Sequence, residues 1–493
     1  MKNLLFIGVD QLRWDVIGPN KSVPVDTPNI DRLIASGVSF ERAYATCPLC
    51  TPSRASMFTG DYAFTHGMGT NCDMYHALGK ELSDPDRLLH RHLLKANYRC
   101  GFVGKWHVGV EKAPGDYGFE ADVQPGYGNL TTTEAFKAYL KHNTLDYRVT
   151  PSLFFNQHQQ TMAAGRWHGP VESTPAHFQT NQAIDMLEDM GEGDQPFFVT
   201  LQYWDPHGPH LICDEFYHST DRQKIKPWPN FRDNLKRKPE KVIRERDDFY
   251  RCHPRTDAEV IDYIGWYCDH VAMLDHQIGR LLDYLEESGL ADETLIVFTS
   301  DHGDMTGAHG GLIDKGLLYE EAMRVPLVFA HPDLKHGTRS GLALNMDILP
   351  TALALLGFTD IDRQADDLSA QIGDRDAAGR DYLLGEYHGL RYLYSQRMLV
   401  SDDGWKFIFS PGDRDELYDL NNDPHEMNNL VCDPSSGEVL ARMREALMQQ
   451  TARFEDPLRD CVAKFNGHWR TGSGQFDATS AYLTSQDGAD DQP

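Results

Sequence analysis

The 493-residue sequence has no long apolar run. A membrane-spanning helix needs about 20 consecutive apolar residues, and no stretch of the chain approaches that length. The opening apolar run, Leu4 to Val9, is too short for the core of a signal peptide and is followed by Asp10 where a cleavage site would need small residues. We therefore expect a cytoplasmic protein with no signal peptide and no membrane partner.

Positive charge is also scarce. The chain has 47 Lys and Arg residues against 74 Asp and Glu residues, which gives a formal net charge of -27. Such a chain has no broad basic surface to neutralise phosphates, so nucleic acid is excluded as a partner. An anionic substrate would need a local cationic site inside this acidic protein.

Cysteines are few and do not form a disulfide pattern. There are nine, an odd number, spread from Cys47 to Cys461. This spacing favours reduced thiols in a reducing compartment. One close pair, Cys47 and Cys50, has the CxxC spacing of redox and metal-binding proteins, so a dithiol function is one alternative.

The chain is too long for one ordinary hydrophobic core, which predicts a large domain with a smaller partner. Apolar, strand-like runs at residues 4–9, 38–45, 98–104, 196–203, 294–299 and 325–329 alternate with helical patterns. Thr27-Pro28 predicts one helix start, and Thr256 with Glu259 forms a capping box before a long helix. The alternation predicts an α/β fold, with a large, mixed, mostly parallel sheet flanked by helices.

The alternation weakens after about residue 358. Short strand-like segments at 391–393, 398–400 and 405–409, then a helix at 436–454, predict a C-terminal α+β subdomain with a short antiparallel sheet. We divide the chain into an N-terminal domain at 1–358, a C-terminal subdomain at 359–467 and a tail at 468–493. The tail is rich in Gly, Ser and Asp, which predicts a loosely ordered segment or an arm that joins subunits of a dimer or tetramer.

Charged and imidazole side chains follow four of the predicted strands. These are Asp10-Gln11, Lys105-x-His107, His207 and Asp301-His302. The carboxyl ends of strands in an α/β sheet meet at one crevice, so we expect these groups to lie together. Carboxylates gathered there would repel one another without a cation. Their oxygens suit calcium or magnesium, whereas the histidine nitrogen suits manganese or zinc.

One stretch near the N terminus has a cysteine, a proline and an arginine at fixed spacing. It is Cys50-Thr51-Pro52-Ser53-Arg54, followed by Ala55 and by Thr59-Gly60. It resembles the signature of type I sulfatases, in the alkaline phosphatase-like superfamily. Other motifs follow in the family's order: Thr27 to Leu33, Gly104 to His107, Pro206 to His210, Ser300 to Asp304, Lys315, Arg324-Val325-Pro326, Glu416 to Leu420, Asp423-Pro424 and Asn429-Leu430.

The resemblance implies a role for each site residue. A formylglycine-generating enzyme would convert Cys50 to formylglycine, whose hydrate supplies the nucleophile. Asp10, Gln11, Asp301 and His302 would bind one divalent cation together with a formylglycine oxygen, calcium being favoured and manganese the runner-up. Arg54 and Lys105 would stabilise the formylglycine, and His107 would assist proton loss from its second hydroxyl. His207 and Lys315 would bind the sulfate and protonate the leaving oxygen, and Asn71 would also contact the sulfate.

The implied activity is hydrolysis of a small sulfate monoester at its S–O bond. A gem-diol can attack sulfur with one hydroxyl and expel sulfate when the other loses its proton, which divides one displacement into two steps. Gln11 and His302 depart from the pattern of many members and resemble the branch that contains choline sulfatases and phosphonate monoester hydrolases.

A phosphonate or phosphodiester hydrolase on the same scaffold therefore stays an alternative, as does a non-catalytic binding protein. The leaving group, whether sugar, choline or aryl, stays open. We expect the substrate pocket to be built from residues 110–175 and 205–255.

Overall fold

The computed structural model describes residues 2–121, 130–154, 162–249, 254–359 and 361–470. The strands are β1 (Asn3–Asp10), β2 (Val38–Tyr44), β3 (Arg99–Gly104), β4 (Glu120–Ala121), β5 (Arg148–Phe154), β6 (Met162–His168), β7 (Phe197–Pro206), β8 (His210–Cys213), β9 (Thr294–Ser300), β10 (Leu327–Ala330), β11 (Gly337–Leu344), β12 (Tyr382–Tyr387), β13 (Gln396–Ser401), β14 (Trp405–Phe409) and β15 (Glu416–Asp419).

The α-helices lie mainly between these strands. They are α1 (Pro28–Ser36), α2 (Cys50–Thr59), α3 (Ala63–His66), α4 (His90–Lys95), α5 (Glu134–His142), α6 (Pro175–Gly191), α7 (Glu240–Arg244), α8 (Asp257–Glu287), α9 (Ala308–Gly311), α10 (Glu320–Met323), α11 (Ile348–Leu355), α12 (Ser369–Gly373), α13 (Gly437–Arg453) and α14 (Arg459–Arg470). Within the described residues, no helix is both long enough and apolar enough to cross a bilayer.

An eight-stranded sheet forms the centre of the molecule, in the order β11-β2-β10-β9-β1-β7-β3-β4. Strand β10 runs antiparallel to β9 and β2, and the other neighbouring strands are parallel. All eight residues of β1 are buried, as its apolar run predicts for a strand covered on both faces. The predicted mixed, mostly parallel sheet is thereby confirmed. Because β1, β3, β7 and β9 run in the same direction, their carboxyl ends share one edge.

Two predicted helix starts had different outcomes. Thr256 and Glu259 form the predicted capping box at the start of the 31-residue helix α8. Thr27 is the N-cap residue of α1, as predicted, but its hydroxyl donates to the Asp31 carboxylate and accepts no hydrogen bond from the backbone N–H groups of the first turn. Pro28 does occupy the first turn of α1, where its missing N–H costs nothing.

A second, four-stranded antiparallel sheet lies in the C-terminal region, in the order β12-β13-β14-β15. The predicted small antiparallel sheet is confirmed, but the predicted strand at 391–393 is wrong. The first strand of this sheet is instead β12, which pairs with β13. Its sequence includes Gly385 and Glu386, so it lacks the apolar pattern of a buried strand. Buried Glu386 binds His388 instead of facing water.

The domain limits stay predictions. Helix α14 extends to Arg470, and residues 471–493 of the predicted tail lie outside the described residues.

A third sheet of three strands, β5-β6-β8, joins the chain after α5 to the chain after β7. Strand β6 pairs parallel with β8, in register from Ala164 with His210 to Trp167 with Cys213. This sheet therefore holds residues of the 110–175 region next to the carboxyl end of β7, where His207 follows.

Candidate active site

Cys50 is the first residue of α2, and every residue of that helix is buried. The Asn71 side chain accepts a hydrogen bond from the Thr51 backbone N–H at 3.1 Å, which satisfies one amide of the first turn. The amino end of a helix has a partial positive charge, so a developing negative charge on residue 50 is favoured here. Asn71 therefore lies next to Cys50, and its contact with sulfate stays a prediction.

Asp10, Asp301 and His302 meet at the Cys50 sulfur. Asp10 ends β1 and Asp301 follows β9; these neighbouring strands are in register at Val9 and Ser300. His302 Nδ1 hydrogen bonds to the Gly303 carbonyl, which directs Nε2 towards the cluster. His302 Nε2 is 3.2 Å from Cys50 Sγ, 3.7 Å from Asp10 Oδ1 and 3.6 Å from Asp301 Oδ1.

The charges of this cluster favour a cation. Burial raises the pKa of Asp301, and the nearby Asp10 carboxylate raises it further. Burial alone would lower the pKa of His302, but Asp301 and Cys50 outweigh it and raise that pKa to about 9. The two carboxylates therefore favour a positive charge beside residue 50.

The cationic wall of the site begins with Arg54, one helical turn after Cys50. Its guanidinium donates to Asp301 Oδ2 at 2.9 Å, to Gln202 Oε1 at 3.0 Å and to the Lys105 carbonyl at 3.1 Å. Lys105 forms an ion pair with Asp10, and its ammonium lies 4.6 Å from the centre of the Trp204 ring. Because all four strands end at this edge, partners from β1, β7 and the segments after β3 and β9 meet here.

Lys315 closes the opposite side. Its Nζ is 3.0 Å from Cys50 Sγ, 3.1 Å from Gln11 Oε1 and 2.6 Å from His207 Nε2. His207 Nδ1 is 2.6 Å from the Gly208 carbonyl, so Nδ1 donates and Nε2 accepts from Lys315. Gln11 also donates its backbone N–H to Asp301 Oδ1 at 3.1 Å. Its side-chain oxygen faces Lys315, and its role as a metal ligand stays a prediction.

These cations control the Cys50 thiol. Burial alone would raise its pKa, but Lys105, Lys315 and His302 outweigh burial and hold the pKa of Cys50 well below its usual value. Cys47 differs, because burial raises the pKa of its thiol well above the usual value and Glu386 raises it further. The two cysteines of the CxxC spacing therefore have opposite environments.

The His107 ring lies near Cys50 and contributes to the lowered pKa of that thiol. His107 Nε2 is 3.1 Å from Asp73 Oδ1. The hydrogen bond from His107 lowers the pKa of Asp73, so this carboxylate is charged near neutral pH. Asp73 thus orients a ring that the sequence had already placed in the site.

The donor set fits a divalent cation. Ligand atoms of Asp10, Cys50, Asp301 and His302 all lie within 4.8 Å of one another, and all four residues are buried. Oxygen and imidazole ligands around one ion have separations of this order, since they bind at about 2.0–2.6 Å from it. Cys50 Sγ is the fourth ligand atom of this set.

Three contributors were missed by the sequence reasoning. Gln202 lies inside strand β7, and Asp73 and Trp204 lie outside every quoted motif. Of these three, only Trp204 could have been suggested by the sequence, because it lies near the end of β7, shortly before the predicted site residue His207. The predicted residues Cys50, Asp10, Gln11, Arg54, Lys105, His107, His207, Asp301, His302, Lys315 and Asn71 do lie together, whereas their individual roles stay predictions.

Comparisons with known proteins point to one family. The family model described as Sulfatase matches residues 2–358, and the model described as N-sulphoglucosamine sulphohydrolase, C-terminal, matches residues 307–453. The chain is 29% identical over 484 residues to an uncharacterized sulfatase, YidJ, of Escherichia coli K12, covering 93% of this chain and 88% of that protein. It is 27% identical over 489 residues to an arylsulfatase of Clostridium perfringens, covering 93% and 96%.

Solved structures share the fold. The phosphonate monoester hydrolase SpPMH from Silicibacter pomeroyi superposes with a TM-score of 0.75 at 22% identity, covering 93% of this chain and 96% of that one. The family model that spans residues 2–358 covers well over half of the 493 residues. The chain therefore belongs to the sulfatase family of hydrolases.

Proposed function

We propose that the protein hydrolyses a sulfate monoester at the S–O bond, with residue 50 converted to formylglycine and one divalent cation bound by Asp10, Asp301 and His302. The observation that supports this most strongly is the convergence of those three side chains on Cys50 Sγ in a buried site. Membership of the sulfatase family supports sulfate ester hydrolysis in general. Formylglycine, the cation and the small substrate are the parts that we propose.

A thiol alone does not account for turnover. A cysteine that attacked sulfur would hold the sulfo group as a stable adduct, because it has no second group to expel it. The hydrated aldehyde of residue 50 has two hydroxyls. One attacks sulfur and the alcohol leaves; when the second loses its proton, the carbon–oxygen bond to sulfate breaks and the aldehyde returns. His107 is the base next to residue 50 for that second proton.

The alcohol oxygen needs a proton as it leaves. Lys315 and His207 share a hydrogen bond, and the Lys315 ammonium is 3.0 Å from Cys50 Sγ. The ammonium can therefore contact the sulfate and, held in place by His207, give its proton to the ester oxygen, so that the neutral alcohol departs. Lys105 and Arg54 stabilise negative charge on residue 50 and on the equatorial oxygens.

A divalent cation at Asp10, Asp301 and His302 would lower the pKa of the attacking hydroxyl and polarise a sulfate oxygen. The family resemblance favours calcium, while the His302 nitrogen makes manganese the runner-up. Elemental analysis of the purified protein decides between them.

The mass of the peptide that contains residue 50 tests the proposal. Conversion to formylglycine exchanges hydrogen sulfide for one oxygen, so the peptide should be lighter than its cysteine form. Cys50→Ala should abolish turnover of an aryl sulfate, and the matched variant Cys47→Ser should retain it. A fully active protein that contains only unmodified Cys50 would refute the mechanism, and loss of activity in Cys47→Ser would favour the dithiol alternative.

A phosphonate or phosphodiester substrate is the second candidate, favoured by the Gln11 and His302 departures. Arg54, Lys105 and Lys315 would serve a phosphonate anion as well as a sulfate. Comparison of kcat/KM for an aryl sulfate and an aryl phosphonate monoester distinguishes the two. A preference for the phosphonate would overturn the sulfate proposal and leave the site geometry intact.

A further inference from the structure

A cavity of about 210 Å³ lies beside His207. It is open to solvent on one side, and its walls come from the end of β7 and the turn that follows, from β6 and β8, from the segment before α5, from the start of α6 and from α8. The lining residues are Leu130, Thr131, Trp167, Thr174, Pro175, Trp204, Asp205, His207, Gly208, Pro209, Leu211, His270 and Met273. A sulfate at Cys50 that contacts His207 would direct its ester oxygen towards this space.

The walls of the cavity are mostly apolar, and its principal aromatic wall is rigid. The Trp167 indole N–H donates to Ser173 Oγ at 2.9 Å, and the ring stacks on Tyr147 with 3.7 Å between ring centres. Trp204 adds a second indole, next to Lys105. These two indoles, with Leu211 and Met273, would bury the faces of a compact apolar group.

The polar groups of the wall are few and paired. Asp205 and His270 are both more than nine-tenths buried and hydrogen bond to each other. Among the described lining residues there is no lysine or arginine. An alcohol with further sulfate or carboxylate groups would therefore bring uncompensated negative charge next to the Asp205 carboxylate.

The size of the cavity limits the ligand. An apolar cavity of about 150 Å³ is large enough to bind benzene, whereas pockets for drug-sized ligands span about 300–1,000 Å³. A volume of about 210 Å³ thus accommodates one ring or a similarly small apolar body.

We propose that this cavity is the leaving-group subsite and that the substrate is the sulfate monoester of a compact, apolar, non-acidic alcohol. This inference rests on the proposed sulfate ester hydrolysis, because it assigns the alcohol half of that substrate. Two kinds of alcohol have the required chemistry. One is a phenol with a single ring, and the other is a small alcohol with a methylated ammonium group. Both present an apolar body to Trp167 and Trp204.

Binding measured without turnover tests the subsite. In a Cys50→Ala protein, calorimetry with phenyl sulfate and choline O-sulfate should show tighter binding of at least one than of a disulfated glucosamine. The stronger of the two identifies the source. Tighter binding of the disulfated sugar would overturn the proposal.

Filling the cavity gives the second test. Leu211→Trp in the Cys50→Ala protein should weaken binding of the preferred compact ester roughly tenfold or more, as expected when burial of one ring is lost. Leu355→Trp, the same change at a partly buried leucine of α11, should leave that affinity unchanged. Leu211→Ala enlarges the space and should improve binding of naphthyl sulfate relative to phenyl sulfate. Unchanged affinities in both Leu211 variants would refute the subsite.

Different results would refute the sulfate ester hydrolysis and the leaving-group subsite. Absence of turnover of every sulfate ester by the wild-type protein would refute the proposed function, even if compact esters still bind. Turnover that favours polyanionic sugar sulfates would leave sulfate hydrolysis intact and would refute the subsite alone.

Discussion

Replacing Asp73 by asparagine should slow catalysis by changing which ring nitrogen of His107 has the proton. His107 Nε2 faces the Asp73 carboxylate at 3.1 Å, so Nε2 donates and Nδ1 is the nitrogen that remains for residue 50. An asparagine can present its amide N–H to Nε2, which moves the ring proton to Nδ1. The ring would then face the second hydroxyl of residue 50 as a donor and could not accept its proton.

The size of the effect follows from the contact. A hydrogen bond to a charged group contributes about 1.5–3 kcal/mol, and the Asp73 side chain is 45% exposed, which places the loss near the lower value. Since about 1.4 kcal/mol corresponds to tenfold in rate, kcat should fall roughly tenfold. KM should fall together with kcat, and kcat/KM should change much less, because Asp73 acts on breakdown of the intermediate and not on substrate binding or on formation of the intermediate.

The assay combines steady-state kinetics with intact mass under turnover. If His107 takes the proton of the second hydroxyl, Asp73→Asn should accumulate protein that is heavier by one sulfo group. Asp376→Asn, the same change at an exposed aspartate outside the site, serves as the control. A kcat within about twofold of wild type, with no sulfated protein, would refute this role of Asp73.

Three further predictions concern the buried charges. Arg54→Met should lower the free energy of unfolding by about 3–5 kcal/mol, because it leaves the buried Asp301 carboxylate without its partner; a loss below 1 kcal/mol in denaturant titrations would contradict this. Chelation of divalent cations should lower the melting temperature, and adding the cation back at about 100 times its Kd should restore about 2.7 kcal/mol of the free energy of unfolding. The Asp301→Asn variant should respond little to the cation, and a full response in that variant would contradict the assignment of Asp301 as a ligand. Burial raises the pKa of Asp415 to about 7, above its unfolded value, so the folded state retains this proton longer and stability should fall as pH rises from about 4 to 7, by at most roughly 4 kcal/mol. Asp415→Asn should therefore gain in melting temperature relative to wild type between pH 5 and 8, and a constant difference would show that the group does not titrate with folding.

Much of the site could be predicted because parallel strands bring their carboxyl ends to one edge. The apolar run of β1 identified a buried strand, and Asp10 then had to lie at that edge beside Asp301. The same rule located His207 after β7. Lys315 follows no strand and was found through the family resemblance alone.

The parts that could not be predicted depend on contacts without a periodic signal. Asp73 meets His107 across 34 residues, between two irregular segments. Gln202 points from within β7 to Arg54, and an interior strand position gives no hint of function. Strand β12 was missed for the same reason. Its Glu386 is buried because the carboxylate binds His388, a contact that the sequence pattern does not show.

The acidic composition of the chain posed a difficulty for an anionic substrate, and Gln11 shows how the site resolves it. Its amide nitrogen donates to Asp304 and, at 3.3 Å, to Asp314, while its amide oxygen accepts from Lys315. The neutral amide thus separates two acids from the lysine that faces residue 50. A carboxylate at position 11 would face Asp304 and Asp314 as a like charge and would draw Lys315 towards itself. With glutamine there, the Lys315 ammonium stays directed at Cys50, so the cationic wall acts on the substrate even though the protein as a whole is strongly negative.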